Sequence, residues 1–408
     1  MKARAALAWT LWLLAAAGCH SSTNASTELG DALRTTDGAL AAANLDALIQ
    51  GRLALVARDS RWASERVVLV DLLQTRAQLF GRLEEYDRAE AVAEAAVALA
   101  PQLPDSWLAR ASNRAVLHRF PEALRDLEQA TRRGAEPDAV EALRASALLA
   151  EGRTDEALVL RRHAVQRWGS TSNLSALAVA EFAAGEVSLA SAHLDAAVRA
   201  YHDVAPFPLA FVDFQRGLIA EEQGDLDRAA ARYRAVLRRL PGHVQAAVHL
   251  AALQLAHAQP EAAAAALAPL APLDEPEVMA LRADVLARQG HAAEAEGLRQ
   301  RVALRYQALV ARHPEAFADH AARFLLARDA PRALALARLN LAARATPAAY
   351  DLALSAAQAA GDETLRCELA AKAEALPYTT ARLRALARNG LSGCPSTLLP
   401  GLAGVLSR

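Results

Sequence analysis

Apolar and polar positions along this chain follow a helical period, and one motif keeps returning: an apolar helix, a tight turn often bearing Gly or Asp, and an Ala that opens a second helix. The turns run from Gly81 to Ala89, His118 to Ala123, Gly152 to Ala157, Gly185 to Ala190 and Gly224 to Ala229. They continue from His257 to Ala262, Gly290 to Ala295 and Arg328 to Ala333, with a degraded copy from Gly361 to Arg366. The marker alanines lie 34, 34, 33, 39, 33, 33 and 38 residues apart. Twelve residues before the marker stands a small residue: Ala77, Ala111, Ala145, Ala178, Gly217, Ala283 and Ala321, with Leu250 as the exception. Seven residues after it come Ala96, Ala130, Ala164, Ala197, Val236 and Val302, with Pro269 and Asn340 departing.

Two antiparallel helices approach closely only where side chains are small, so these positions mark the contact line inside a hairpin. Larger residues such as Phe80, Trp107, Leu148 and Phe324 fill the gaps beside it. One hairpin cannot bury its apolar face alone, and stacked hairpins share a continuous core. The spacing of 39 carries the Pro-rich stretch Val204 to Pro208, a loop or kink. The spacing of 38 falls on a long helical stretch from Ala295 to His313, an extended second helix.

With this period and these small positions, residues 70–376 resemble the tetratricopeptide repeat family, in about eight to nine units. The stretch from Phe211 to Pro241 carries the family pattern most fully. The resemblance implies an all-α, right-handed superhelical solenoid of antiparallel helix hairpins, with the first helices lining a concave groove for peptides or partner helices. Carried onto this chain, the candidate groove residues are Gln74, Gln78, Asp105, Phe182, Phe211, Phe214, Glu221 and Asp284. That lining is mostly small and apolar and lacks the basic clamp by which some members hold a carboxylate terminus. Upstream, residues 31–69 read as a divergent N-terminal helical hairpin or cap, and residues 377–408 as a C-terminal cap and tail.

The first 18 residues read as an address. Lys2 and Arg4 precede an apolar run from Ala5 to Ala17, too short to span a bilayer comfortably. The run ends in Ala16-Ala17-Gly18-Cys19, which resembles the lipobox of bacterial lipoproteins, with Ala16 where Leu is usual. The resemblance implies acylation of Cys19, and His20 in the next position implies delivery to the outer membrane, facing the periplasm. A soluble periplasmic or secreted protein is the alternative. Acyl chains anchor by about 0.8 kcal/mol per buried CH₂, and residues 19–30 would form a flexible polar tether.

Export places the remaining Cys367 and Cys394 in an oxidising compartment, as candidates for a disulfide. Closing that 27-residue loop would contribute roughly 3–4 kcal/mol in the chain-entropy model. Apolar residues make up 53% of the chain and Ala about a quarter, which suits helices. The 45 basic against 46 acidic residues argue against a nucleic-acid binder, which needs a net basic face.

No HExxH, CxxC, phosphate-binding Gly loop or GxSxG elbow is present, and no cofactor is called for. His249 and His257 lie eight apart and could share a helix face, but no third ligand is evident nearby, and His313 and His320 span a helix boundary, so no metal site is expected at either pair. The expectation is therefore a non-enzymatic, membrane-anchored protein-binding scaffold or assembly factor of the bacterial cell envelope, its partners other envelope proteins or peptides. The alternatives are a regulatory or adaptor subunit of an envelope enzyme and a small-ligand-binding repeat protein. Self-association through apolar terminal repeats stays open.

Overall fold

A computed structural model describes residues 33–59, 61–392 and 394. The signal-peptide, Cys19 and tether expectations lie outside the described residues. The described chain is all-α. A lone helix α1 (Gly38–Arg58) precedes nine antiparallel hairpins. They are α2 (Ala63–Phe80) with α3 (Glu84–Leu99), α4 (Pro104–Val116) with α5 (Phe120–Arg132), and α6 (Pro137–Glu151) with α7 (Thr154–Arg167). Next come α8 (Thr171–Ala183) with α9 (Val187–Arg199), α10 (Pro206–Glu222) with α11 (Leu226–Arg239), and α12 (Val244–Ala256) with α13 (Pro260–Leu267). The last are α14 (Pro276–Arg288) with α15 (Ala292–Arg312), α16 (Pro314–Leu325) with α17 (Ala330–Ala343), and α18 (Pro347–Ala360) with α19 (Glu363–Glu374). A final helix α20 (Ala381–Leu391) closes the array. Over the stretch expected to hold an N-terminal hairpin, α1 stands alone, because Ala63 already opens the first hairpin.

Local sequence explains the boundaries. Proline starts α4, α6, α10, α14, α16 and α18, where its missing N–H costs nothing and its fixed φ suits the first helical turn. Ser170, Asp225, Asp329, Thr346 and Asp362 cap helix starts through their side-chain oxygens. The 39-residue spacing is taken up by the loop after Arg199 and by the 17-residue α10, and the 38-residue spacing by the 21-residue α15.

The small positions pack where the repeat places them. Ala89, Ala123, Ala157, Ala190, Ala229, Ala295 and Ala333 are buried, as are Ala77, Ala111, Ala145, Ala178, Ala283 and Ala321. One hairpin runs in a different register. In α12/α13 the buried Ala that opens the second helix is Ala263 and not Ala262, one position later than the spacing from Ala229 indicates, and Leu270 rather than Pro269 is buried after it, while Leu250 and Ala251 are both buried. The turn explains the shift. Six hairpin turns pass through a left-handed residue, Gly152, Gly185, Gly224 and Gly290 among them, five positions before the buried Ala. In this hairpin the left-handed residue is Ala258, at φ 57°, so the packing position moves to Ala263. Left-handed backbone costs an L side chain about 1–2 kcal/mol. Ala258 is exposed, so burial of its methyl does little to offset this. Ala258→Gly is therefore expected to raise stability by about 1 kcal/mol in urea unfolding. A loss of stability would mean that this turn has another shape.

First helices of successive hairpins touch one another at most joins, whereas successive second helices make no comparable contact. The array is therefore curved, with first helices on the inside. The curvature carries it far enough to meet itself. The Thr36 N–H donates to the Val204 carbonyl at 2.7 Å, and the Ala345 N–H to the Glu151 carbonyl at 3.2 Å. Arg239 reaches the Thr35 hydroxyl at 3.2 Å, 204 residues away in sequence. His118 bonds Glu315, 197 residues away. These separations correspond to about five to six of the chain's 33–39-residue repeats. The turn inside one hairpin thus rests on the start of the hairpin six further on, and successive turns of the coil meet edge to edge. At the far end Cys367 on α19 and Cys394 just beyond α20 are joined by a disulfide, which fixes Cys394 against the last hairpin.

Candidate functional site at the seam between turns

The edge-to-edge contact borders a partly open cavity of about 160 Å³. One wall comes from the first turn of the coil: Gln78 on α2, Tyr86 on α3, and Leu117 and His118 after α4. The other comes from the second turn: Val244 and Gln245 on α12, Glu275 to Glu277 at the start of α14, Tyr306 on α15, and Phe317 and His320 on α16. Each polar group arrives by a local rule. Glu275 is the N-cap of α14, its Oε2 accepting from the Val278 N–H at 2.7 Å, followed by Pro276 in the first turn. His118 is the left-handed residue of its hairpin turn, at φ 58°.

The electrostatics divide the ionisable groups into matched and unmatched. Glu277 is matched: its Oε1 accepts from His320 Nδ1 at 2.7 Å. Burial would push the Glu277 carboxyl up, but the His320 charge and hydrogen bond outweigh it and hold it below the usual range. Burial likewise pulls His320 down, but the Asp319 and Glu277 charges outweigh it and lift the imidazolium to about 10. Glu275 is unmatched. Only 6% of it is exposed, and burial, with the Glu277 charge beside it, pushes its carboxyl upward. His118 is held neutral, burial and the Arg344 charge taking it down to about 4. The Glu315 carbonyl at 2.9 Å can only accept, so it fixes the His118 proton on Nδ1 and leaves Nε2 as an acceptor. Burial raises both Tyr86 and Tyr306 far above the usual tyrosine range, so both keep their protons.

Beside the cavity, Asp87, Glu90 and His313 bring three ligand-type atoms within 4.8 Å of one another. Their charge is already spent. Asp87 pairs with His313 and Arg312, each at 2.7 Å, and Glu90 pairs with Arg119. The trio is an ion-pair cluster joining α3 to the α15–α16 junction across the seam.

Of the eight candidate groove residues, only Gln78 lines the cavity. Gln74 is buried between hairpins, its Nε2 donating to Asn113 Oδ1 at 3.2 Å. Phe214 packs against Tyr233, His243 and His249 at 5.4–5.7 Å between ring centroids. Glu221 accepts from the Tyr233 hydroxyl at 2.7 Å and from His249 at 3.0 Å. Asp284 pairs with Arg299 at 3.0 Å, and Phe182 packs against the core of its hairpin. Asp105 and Phe211 are exposed. The second candidate His pair is also divided: His249 faces Glu221, while His257 turns back to the Leu253 carbonyl. Sequence reasoning missed Glu275, Glu277, Tyr86, Tyr306 and His118. Glu275 had one signal, an acidic residue immediately before a proline that starts a helix.

No protein-family model matches the chain, and no curated protein matches it. Solved structures of helical-repeat proteins are similar in fold. The human IFIT1 dimer with PPP-AAAA aligns at 17% identity and a TM-score of 0.47, covering 76% of this chain and 72% of that one. A chain of the APC/C hetero-tetramer Cut9–Hcn1 aligns at 14% identity and a TM-score of 0.44, covering 81% of this chain and 63% of that one. YrrB, a TPR protein with an unusual peptide-binding site, aligns at 16% identity and 0.28, covering 48% and 95%. At these identities and scores the likenesses say nothing of partner or activity, and the reading of the chain as an all-α array of helix hairpins rests on its own helices and their packing.

Proposed function

We propose that the chain is a non-catalytic interaction scaffold of the bacterial cell envelope, held at the outer membrane by an acylated Cys19 and binding a segment of another envelope protein on the inner layer of its coil. The observation that carries this reading is Phe211. It is 41% exposed on the first helix α10, whereas Phe182 and Phe214, the other aromatic candidates, are packed into their hairpins. A large apolar side chain held open on a rigid helix is the kind of anchor that a partner helix or extended segment buries. Hairpins occupy the described chain from Ala63 to Glu374, so the fold offers extended surface.

Phe211→Ala is expected to reduce cross-linked recovery of envelope partners about tenfold or more, while stability stays within about 0.5 kcal/mol because the ring is exposed. Unchanged recovery would move the binding face elsewhere. The anchor is tested separately: wild type should enter the detergent-rich phase on phase separation and Cys19→Ser the aqueous phase. Wild type in the aqueous phase would remove the membrane from the reading.

A further inference from the structure

The seam cavity has the composition of a ligand site. Its volume of about 160 Å³ is close to that of cavities that take a benzene-sized molecule, roughly 150 Å³. Its walls combine apolar surface from Leu117, Val244 and Phe317 with a few convergent polar groups. Glu277 and His320 are spent on each other. Glu275 accepts from the Val278 N–H at 2.7 Å and feels the Glu277 N–H and the His320 charge, but forms no ion pair of its own among the described residues. A buried carboxyl of this kind stays protonated or takes a positive partner, because an unpaired buried charge is strongly disfavoured.

The rest of the lining favours the positive partner. His118 lines the cavity and keeps Nε2 as an acceptor, which a hydrogen-bond donor in the cavity can use. Tyr86 and Tyr306 line the cavity close enough to Glu275 for its charge to act on both, and aromatic rings suit a cation. Anions are repelled by Glu275 and Glu277. A divalent ion would find a single unspent carboxylate, fewer ligands than such ions require.

We propose that the seam cavity binds a small primary alkylammonium ion, with the Glu275 carboxylate as its counter-ion, His118 accepting one N–H, and the short alkyl chain against Leu117, Val244 and Phe317. The walls come from both turns of the coil, so the occupant ties one turn to the next. The proposal is independent of the partner-binding reading and stands or falls without it.

The test is calorimetric titration of the acylated full-length protein in detergent, and of the Cys19→Ser chain, with n-butylamine as the probe at mildly alkaline pH. n-Butanol and butyrate match its shape without its charge. Saturable binding of butylammonium is expected, at least tenfold tighter than butanol, with no binding of butyrate. Glu275→Gln keeps an oxygen for the Val278 N–H and should weaken butylammonium at least tenfold. Gln78→Trp, at an exposed position on the cavity wall, should block binding without touching Glu275 and serves as the second variant if Glu275→Gln fails to fold. Equal affinity for butanol and butylammonium, binding that survives both substitutions, or no saturable binding of butylammonium would each overturn the proposal.

Discussion

A valine at position 217 is expected to cost about 3 kcal/mol of stability, the upper part of the range for overpacking a close-packed site. Gly217 on α10 faces the ring of Tyr233 on α11. A Cβ built there overlaps Tyr233 Cε1 and lies 2.9 Å from both Cδ1 and Cζ. The ring cannot swing away. It is fully buried, and its hydroxyl donates to Glu221 at 2.7 Å. The Phe214 and His249 rings pack against it, tilted, at 5.7 and 5.2 Å between centroids. The two helices must therefore separate, and in a stack of hairpins that loosens both neighbouring interfaces. Alanine should give an intermediate loss. Urea unfolding followed by circular dichroism measures it. A valine variant within about 1 kcal/mol of wild type would mean that these helices do not approach as closely as described.

Gly217 also shows what was legible in the sequence. It stands at the small position twelve residues before the marker Ala229, and the repeat alone marks it as a contact point. The hairpin array, its period and the extended second helix α15 follow from patterns that local helix packing imposes every 33 to 39 residues. The register of α12/α13 did not follow. In an Ala-rich run the sequence offers Ala262 and Ala263 equally, and only the left-handed conformation of Ala258 decides between them.

The seam was illegible for a different reason. Its contacts join residues about six hairpins apart, and no periodic pattern records them. Whether a coil meets its own next turn depends on small rotations summed over six hairpin interfaces, and no single residue sets that sum. The same fact explains the dispersal of the candidate groove. Gln74, Phe214, Glu221 and Asp284 are polar or aromatic residues on first helices, the type expected to face a partner. Each finds its own intramolecular partner on a neighbouring helix. Inward-facing position in a repeat does not distinguish a groove from an interface until the curvature is known.

The curvature gives the second large prediction. Combining Gly38→Val with Gly152→Val is expected to part the two turns of the coil while leaving the hairpins folded. Gly38, in the first turn of α1, is buried, and a Cβ there would overlap the Arg239 carbonyl oxygen and lie 2.9 Å from Pro241 Cδ. Gly152 has φ 91°, and a Cβ on it would lie 2.7 Å from the Ala345 carbonyl oxygen. Both obstacles are backbone, which cannot rotate aside as a side chain can. Left-handed strain of about 1–2 kcal/mol at Gly152 adds to overpacking of about 1–3 kcal/mol at each site. The seam holds through a few hydrogen bonds, the Asp87–His313–Arg119 cluster and one apolar patch of Leu83, Tyr86 and Leu117 against Leu309 and Phe317, less than the continuous apolar core inside and between successive hairpins. Opening the seam is therefore the easier relief than unfolding a hairpin. Small-angle scattering should show a larger radius of gyration with unchanged far-ultraviolet circular dichroism. Amide exchange should quicken at Thr36 and Ala345, whose N–H groups bond across the seam. Butylammonium binding should be lost as well, since each turn supplies only half of the cavity wall. An unchanged radius with slow exchange at both amides would mean that the turns do not bear on each other, and that the inside of the coil lies open along its whole length.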